Sequence, residues 1–137
     1  MTPQQIDLIQ QSWAGVVPIQ DTAAGLFYQR LFVLDPQVRP MFNGDMSEQG
    51  RKLMKMLGAI VNSLDKLDAL VPAAQDLARK HVAYGVRAEH YDTVGAALLW
   101  TLEQGLGPAF TYDTRDAWAE AYGILSQVMK DAAYAPA

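Results

Sequence analysis

The stretch Pro72-Ala73-Ala74-Gln75-Asp76-Leu77-Ala78-Arg79-Lys80-His81-Val82-Ala83-Tyr84-Gly85 decides how the rest of the chain is read. Proline suits the first turn of a helix, where its missing N–H has no intrahelical partner, and glycine suits the position just past the end. The segment therefore predicts a helix opened by Pro72 and stopped by Gly85. Leu77 and His81, four residues apart, share its inward stripe. A histidine there is either a hydrogen-bonded core residue or a metal ligand, and the spacing alone leaves both open.

Working outward, the same period recurs. After Gly85, a long helix is expected from about Glu89 to Leu106, with Tyr91, Val94, Leu98 and Leu102 facing in and Gly107-Pro108 ending it. A last helix starts near Asp113 or Thr114 and buries Trp118, Ala121, Tyr122, Leu125 and Met129. Before Pro72, a helix opens at Asp45-Met46-Ser47-Glu48 with capping-box spacing, and its inner stripe is Gln49, Leu53, Leu57, Ile60, Val61 and Leu64. Asp35-Pro36 ends the preceding helix, because a residue before proline avoids the α region. That helix buries Ala24, Phe27, Tyr28, Leu31 and Phe32, and a turn-rich corner runs from Pro36 to Phe42. At the start, Thr2-Pro3-Gln4-Gln5 reads as a capping box leading into Ile6, Ile9, Trp13 and Val17, with an interruption from Pro18 to Asp21. Strict alternation of apolar and polar residues is missing, so no strand is expected. The reading is one all-α domain, residues 1–137, with six substantial helices and a short corner.

Bulk composition narrows the function. Half of the 137 residues are hydrophobic, enough for a sizeable core, and the net charge of -4 argues against a surface that neutralises phosphates, hence no nucleic-acid partner. There is no cysteine, which excludes disulfides, thiolate metal sites and cysteine nucleophiles and suits a cytoplasmic protein. The Met1-Thr2-Pro3-Gln4-Gln5 start lacks the basic and apolar segments of a signal peptide. The longest uncharged apolar run, Thr93 to Leu102, falls well short of the ~20 residues that span a bilayer.

Three polar residues interrupt apolar faces. His81 is one. Gln49 heads a stripe of leucine, isoleucine and valine; burying an unpaired amide costs roughly 1–3 kcal/mol, so it either meets a polar partner or lies open to water at the helix start. Tyr28 is either a core tyrosine whose hydroxyl reaches a carbonyl or the surface, or a donor into a pocket. The second histidine, His90, sits next to Glu89 at a helix start and reads as solvated or capping. No HExxH, CxxC or phosphate-binding loop occurs, and no serine lies in a strand-turn-helix elbow. The paired acids Asp65 with Asp68 and Asp113 with Asp116 fall in loops or at helix starts, where they cap and solvate.

The ordered set Phe27-Tyr28-Gln29-Arg30-Leu31-Phe32, Asp35-Pro36, Val38-Arg39-Pro40-Met41-Phe42, Gln49 with Leu53, Lys80-His81, Tyr84-Gly85-Val86, His90-Tyr91 and Ala117-Trp118 with Ala121-Tyr122-Gly123 resembles single-domain bacterial haemoglobins and the globin domain of flavohaemoglobins. The likeness runs from about Thr2 to Lys130. It implies a globin fold of six to eight helices around a haem b (iron protoporphyrin IX) pocket. His81 corresponds to the proximal iron ligand, Phe42 to the phenylalanine wedged against the haem, Tyr28 and Gln49 to the distal pair facing a gas molecule, and Leu53 to the apolar wall beside them. Lys80, Val86, Tyr91 and Val94 complete the implied cofactor surroundings. Two departures stand out. The corner between Phe42 and Gln49 is short, and Ala133 occupies the place where the family's enzymes carry a glutamate directed towards the proximal histidine. The resemblance implies reversible binding of dioxygen and other diatomic gases, for storage, delivery or scavenging. The alternatives are nitric oxide dioxygenation with a separate reductase, and a haem-free interaction module.

Overall fold

The computed structural model describes residues 1–42 and 44–134. Among them lie six α-helices and no strand: α1 Pro3–Val16, α2 Gln20–Leu34, α3 Met46–Asn62, α4 Leu67–Ala83, α5 His90–Leu106 and α6 Tyr112–Tyr134. Several boundaries have a local cause. Thr2 and Gln5 form the expected reciprocal cap on α1, the Thr2 hydroxyl accepting from Gln5 N–H and the Gln5 side chain accepting from Thr2 N–H. Asp35 stops α2, and its carboxylate caps the 3₁₀ turn Pro36–Met41. The Asp45 carboxylate accepts from Ser47 N–H to start α3. The Thr111 hydroxyl accepts from Thr114 N–H at the start of α6.

Three details differ from the sequence expectation. α4 begins at Leu67, with Pro72 inside it rather than opening it. Proline removes the N–H that would bond the Asp68 carbonyl, but Asp68 and Pro72 are both exposed, so water satisfies that carbonyl. The 3₁₀ turn Leu64–Lys66 leads straight into the helix. The interruption near Pro18 is only the 3₁₀ turn Val17–Ile19, and α2 already starts at Gln20. That turn rotates the end of α1, so Val16 is buried and Val17 is 45% exposed.

α1 packs on α6 and α3, α2 on α3 and α5, and α4 on α6. The α2–α3 crossing is tight: a Cβ on Gly50 would stand 2.9 Å from Ala24 Cβ, so only glycine lets the helices approach this closely there. The Trp118 indole N–H donates to Ser12 Oγ at 2.8 Å and fixes α6 to α1. Among the described residues the buried apolar side chains form two separate clusters. The larger joins α1, α2, α3, α5 and the front of α6, and includes Ile9, Trp13, Phe27, Tyr28, Leu98 and Trp118. The smaller joins α4, the start of α5 and the end of α6, through Ala74, Ala78, Tyr91 and Met129. No described helix is long and apolar enough to cross a membrane.

Candidate functional site

The three polar residues singled out above fall on the two clusters. Tyr28 and the start of α3 belong to the larger one. Tyr28 is 7% exposed, and its ring meets Phe27 edge-on at 5.0 Å, Phe42 edge-on at 5.3 Å and Phe32 at 6.2 Å between centroids. The close α2–α3 crossing brings the half-buried Gln49 beside the Tyr28 hydroxyl. Burial pushes the Tyr28 hydroxyl up from the usual tyrosine range, against the smaller opposing effect of the Gln49 side chain, so it stays a proton-bearing donor. Gln49 is half-buried, with that hydroxyl as a polar neighbour. Leu53, one turn on from Gln49, and Val94 on α5 are half-buried apolar residues at the edge of this cluster, as is Phe42.

His81 and Val86 lie on the other side. His81 is half-buried, and its Nδ1 is 2.7 Å from the Leu77 carbonyl one turn back. A carbonyl only accepts, so Nδ1 carries the proton and Nε2 keeps a free lone pair. The end of α4 is held firmly. Gly85, at φ +90, lets the chain turn; Gly85 N–H donates to the Val82 carbonyl and Val86 N–H to the His81 carbonyl, both at 3.0 Å. This is the paired closure of a Schellman motif. The Tyr134 hydroxyl donates to the Val86 carbonyl, so Val86 is pinned at both of its backbone polar groups. Lys80, beside His81 on α4, is exposed.

Tyr91 is 6% exposed and its hydroxyl has no hydrogen-bond partner in good geometry. Burial, then the neighbouring Tyr134 hydroxyl, push it up to about 12. Tyr122 donates to the Tyr91 carbonyl; burial first, then Tyr91 and Asp92, push its hydroxyl still further up. Ala133 is half-buried against the smaller cluster, and its neighbour Tyr134 lies edge-on to Tyr91 at 6.2 Å. The sequence reading passed over Tyr134, because its partners Tyr91 and Val86 are far away along the chain and nothing local marks it.

His90 departs from expectation. It is 4% exposed rather than solvated, and its ring has two partners: Arg87 N–H donates to Nδ1 at 2.9 Å, and Asp35 Oδ2 lies 3.7 Å from Nε2. It does not cap α5 either: its ring bonds the turn that precedes the helix, and the helix start has no side-chain cap.

The globin family model matches residues 25–129. The chain is 33% identical over 138 residues to a flavohemoprotein of Vibrio cholerae, covering 96% of this chain and 34% of that protein. It is 32% identical to a flavohemoprotein of Xylella fastidiosa, covering 95% of this chain and 33% of that protein. The chain thus spans about a third of the length of these relatives. A bacterial globin from Campylobacter jejuni superposes with a TM-score of 0.84 at 29% identity, over 96% of each chain. An engineered carbene transferase from Rhodothermus marinus, described as a candidate nitric oxide dioxygenase, gives 0.86 at 27% identity, over 97% of this chain and 93% of its own. This chain belongs to the globin family, and its relatives are the globin domains of flavohemoproteins.

Family membership implies a haem, and the residues present fit one. No group of three or more His, Asp or Glu side chains gathers as a metal site among the described residues. A lone imidazole holds iron when a macrocycle supplies the other ligands, and His81 offers such an imidazole with Nε2 free. A flat apolar group also needs apolar side chains to lie against, and half-buried ones are present on both helices: Leu53 and Leu57 on α3, Leu77 on α4.

Proposed function

We propose that this chain, as one globin domain over residues 1–137, holds haem b through His81 Nε2 and binds dioxygen reversibly, for storage, delivery or scavenging. When bound, the haem supplies a ferrous iron that takes up diatomic gases. Everything else falls to the protein. His81, its tautomer set by Leu77 and its carbonyl tied to Val86, presents one fixed basic nitrogen. Phe42, Leu53, Val86, Tyr91 and Val94 line the cofactor and keep water away, with Lys80 at its exposed edge. Tyr28 and Gln49 would offer hydrogen-bond donors to a diatomic gas that carries partial negative charge.

The observation that carries this reading is the Tyr28–Gln49 pair: two side chains able to hydrogen-bond, beside each other among aromatic rings. Such a pair in an apolar setting favours a ligand that accumulates charge over one that does not. The test is the absorption spectrum of the purified ferrous protein, cycled between air, carbon monoxide and argon. Reversible shifts of a strong Soret band are expected. A colourless protein would mean a haem-free interaction module instead. The cytoplasmic location suggested by composition belongs to the same proposal and is supported by the absence of cysteine.

Kinship with flavohemoproteins favours a second reading, conversion of nitric oxide and dioxygen to nitrate, with a separate reductase returning the electron that each cycle consumes. Ala133, where the family's enzymes carry a carboxylate, favours the binding reading, because a proximal imidazole without that partner is a weaker electron donor. Sustained nitric oxide consumption on adding NADH with a separate reductase would reverse the order of the two.

A further inference from the structure

Gas binding as proposed leaves one buried titratable residue without a role. His90, the first residue of α5, accepts from Arg87 N–H at Nδ1, so a neutral ring carries its proton on Nε2, 3.7 Å from Asp35 Oδ2. The other Asp35 oxygen, Oδ1, accepts from Gln37 N–H at 3.1 Å and caps the 3₁₀ turn Pro36–Met41. The pair therefore ties together two corners that are far apart in sequence. One corner follows His81: Val86 N–H bonds the His81 carbonyl at 3.0 Å, and Arg87, which bonds His90, is the next residue. The other corner ends at Phe42, whose ring lies 5.3 Å from that of Tyr28 and 5.6 Å from that of Phe32. The remaining charged pair of the turn, Arg87 with Glu89 at 3.1 Å, is exposed.

The geometry points to His90 and Asp35 as positioning residues. We propose that they clamp the turn behind His81 to the corner carrying Phe42, and so set the Tyr28–Gln49 donors relative to the His81 side of the pocket. The proposal rests on the gas-binding reading of that pocket. A continuous series of polar contacts carries it: His81 carbonyl, Val86 and Arg87 backbone, His90 ring, Asp35 carboxylate, Gln37 backbone. An imidazole is buried at low cost only where its nitrogens meet polar partners, and both nitrogens of His90 are directed at one. Leucine would fill the same space without that requirement.

The test measures oxygen dissociation by stopped flow from the ferrous holoprotein. His90→Leu is made in the wild type and in a background without distal donors (Tyr28→Phe with Gln49→Leu). In the wild type it should raise the rate about 2- to 10-fold, the size of one lost hydrogen bond. In the donor-free background it should change the rate less than about twofold, because the clamp acts through the donors it places. His90→Gln, whose amide oxygen can still accept from Arg87 N–H, should stay near the wild-type rate. Asp35→Asn, at a less buried position, should move the rate in the same direction as His90→Leu and serves if that variant does not fold. Hydrogen exchange at the Arg87 amide, protected in the wild type and in His90→Gln and open in His90→Leu, reports the clamp independently of the gas. Equal rate changes in both backgrounds, or wild-type rates in His90→Leu and Asp35→Asn while Tyr28→Phe responds, would overturn the clamp alone. A wild type that takes up no gas would remove the gas-binding reading and the clamp with it.

Discussion

Replacing Tyr28 by phenylalanine removes one hydroxyl and almost nothing else. The ring keeps its contacts with Phe27, Phe32 and Phe42, and the backbone of α2 is untouched, so haem affinity should survive. The lost interaction is a hydrogen bond from a buried donor to a ligand carrying partial negative charge, worth roughly 1.5–3 kcal/mol. At about 1.4 kcal/mol per decade this becomes a 10- to 150-fold faster release of oxygen. Two structural facts set where in that range the result falls. Burial keeps the hydroxyl protonated, so its full donor strength is present at neutral pH. Gln49 lies beside the same hydroxyl, so its amide can take over part of the task and pull the effect towards the lower half. Stopped-flow release of oxygen from the ferrous protein measures it. Carbon monoxide, which carries little charge, should leave at a rate changed by less than about threefold. An unchanged oxygen rate with haem retained would refute the reasoning and make Tyr28 a plain core tyrosine.

Gln49→Leu should speed oxygen release by less than Tyr28→Phe, and the double variant should fall short of the product of the two effects, since both side chains serve one ligand; the same stopped-flow assay decides. Buried Tyr91 and half-buried Tyr122 predict the alkaline limit of stability. Their folded hydroxyls titrate above the unfolded value of 10.0, so they contribute stability that is complete below that pH and is lost as pH rises through about 12 for Tyr91. Thermal melts should therefore be insensitive to these groups up to about pH 10 and fall beyond it; Tyr91→Phe should flatten that fall, and an identical fall in the variant would contradict the assignment. Gly95→Ala should destabilise by about 1–3 kcal/mol in denaturant unfolding, because the new Cβ would stand 2.7 Å from the Tyr122 ring, which its bond to the Tyr91 carbonyl holds in place.

How much of this was legible in the sequence depends on the range of each interaction. Local chemistry was readable: the Thr2–Gln5 cap, the Asp35-Pro36 stop, the turn at Gly85 and the Leu77–His81 spacing all act within a few residues and all appear in the structure. The helical character of the chain followed from a period repeated many times. Pro72 misled because proline marks a helix start only when nothing upstream nucleates the helix, and here the turn Leu64–Lys66 does so. His90 and Tyr134 were opaque for the opposite reason. Their partners Asp35, Tyr91 and Val86 come from other elements, and a polar residue at a helix start looks the same whether its partner is water or a distant carboxylate. The Tyr28–Gln49 pair lies between these cases. Each residue was conspicuous on an apolar face, but their meeting depends on the α2–α3 approach that Gly50 permits.

The central claim is that His81 alone among the side chains holds the haem. It is tested most directly by the absorption spectrum of ferrous His81→Gly beside the wild type, with and without added imidazole. The account predicts a strong Soret band in the wild type, loss of haem or of its five-coordinate ferrous spectrum in the variant, and recovery when free imidazole fills the space left by the side chain. A His81→Gly protein that keeps the wild-type spectrum without imidazole would contradict it.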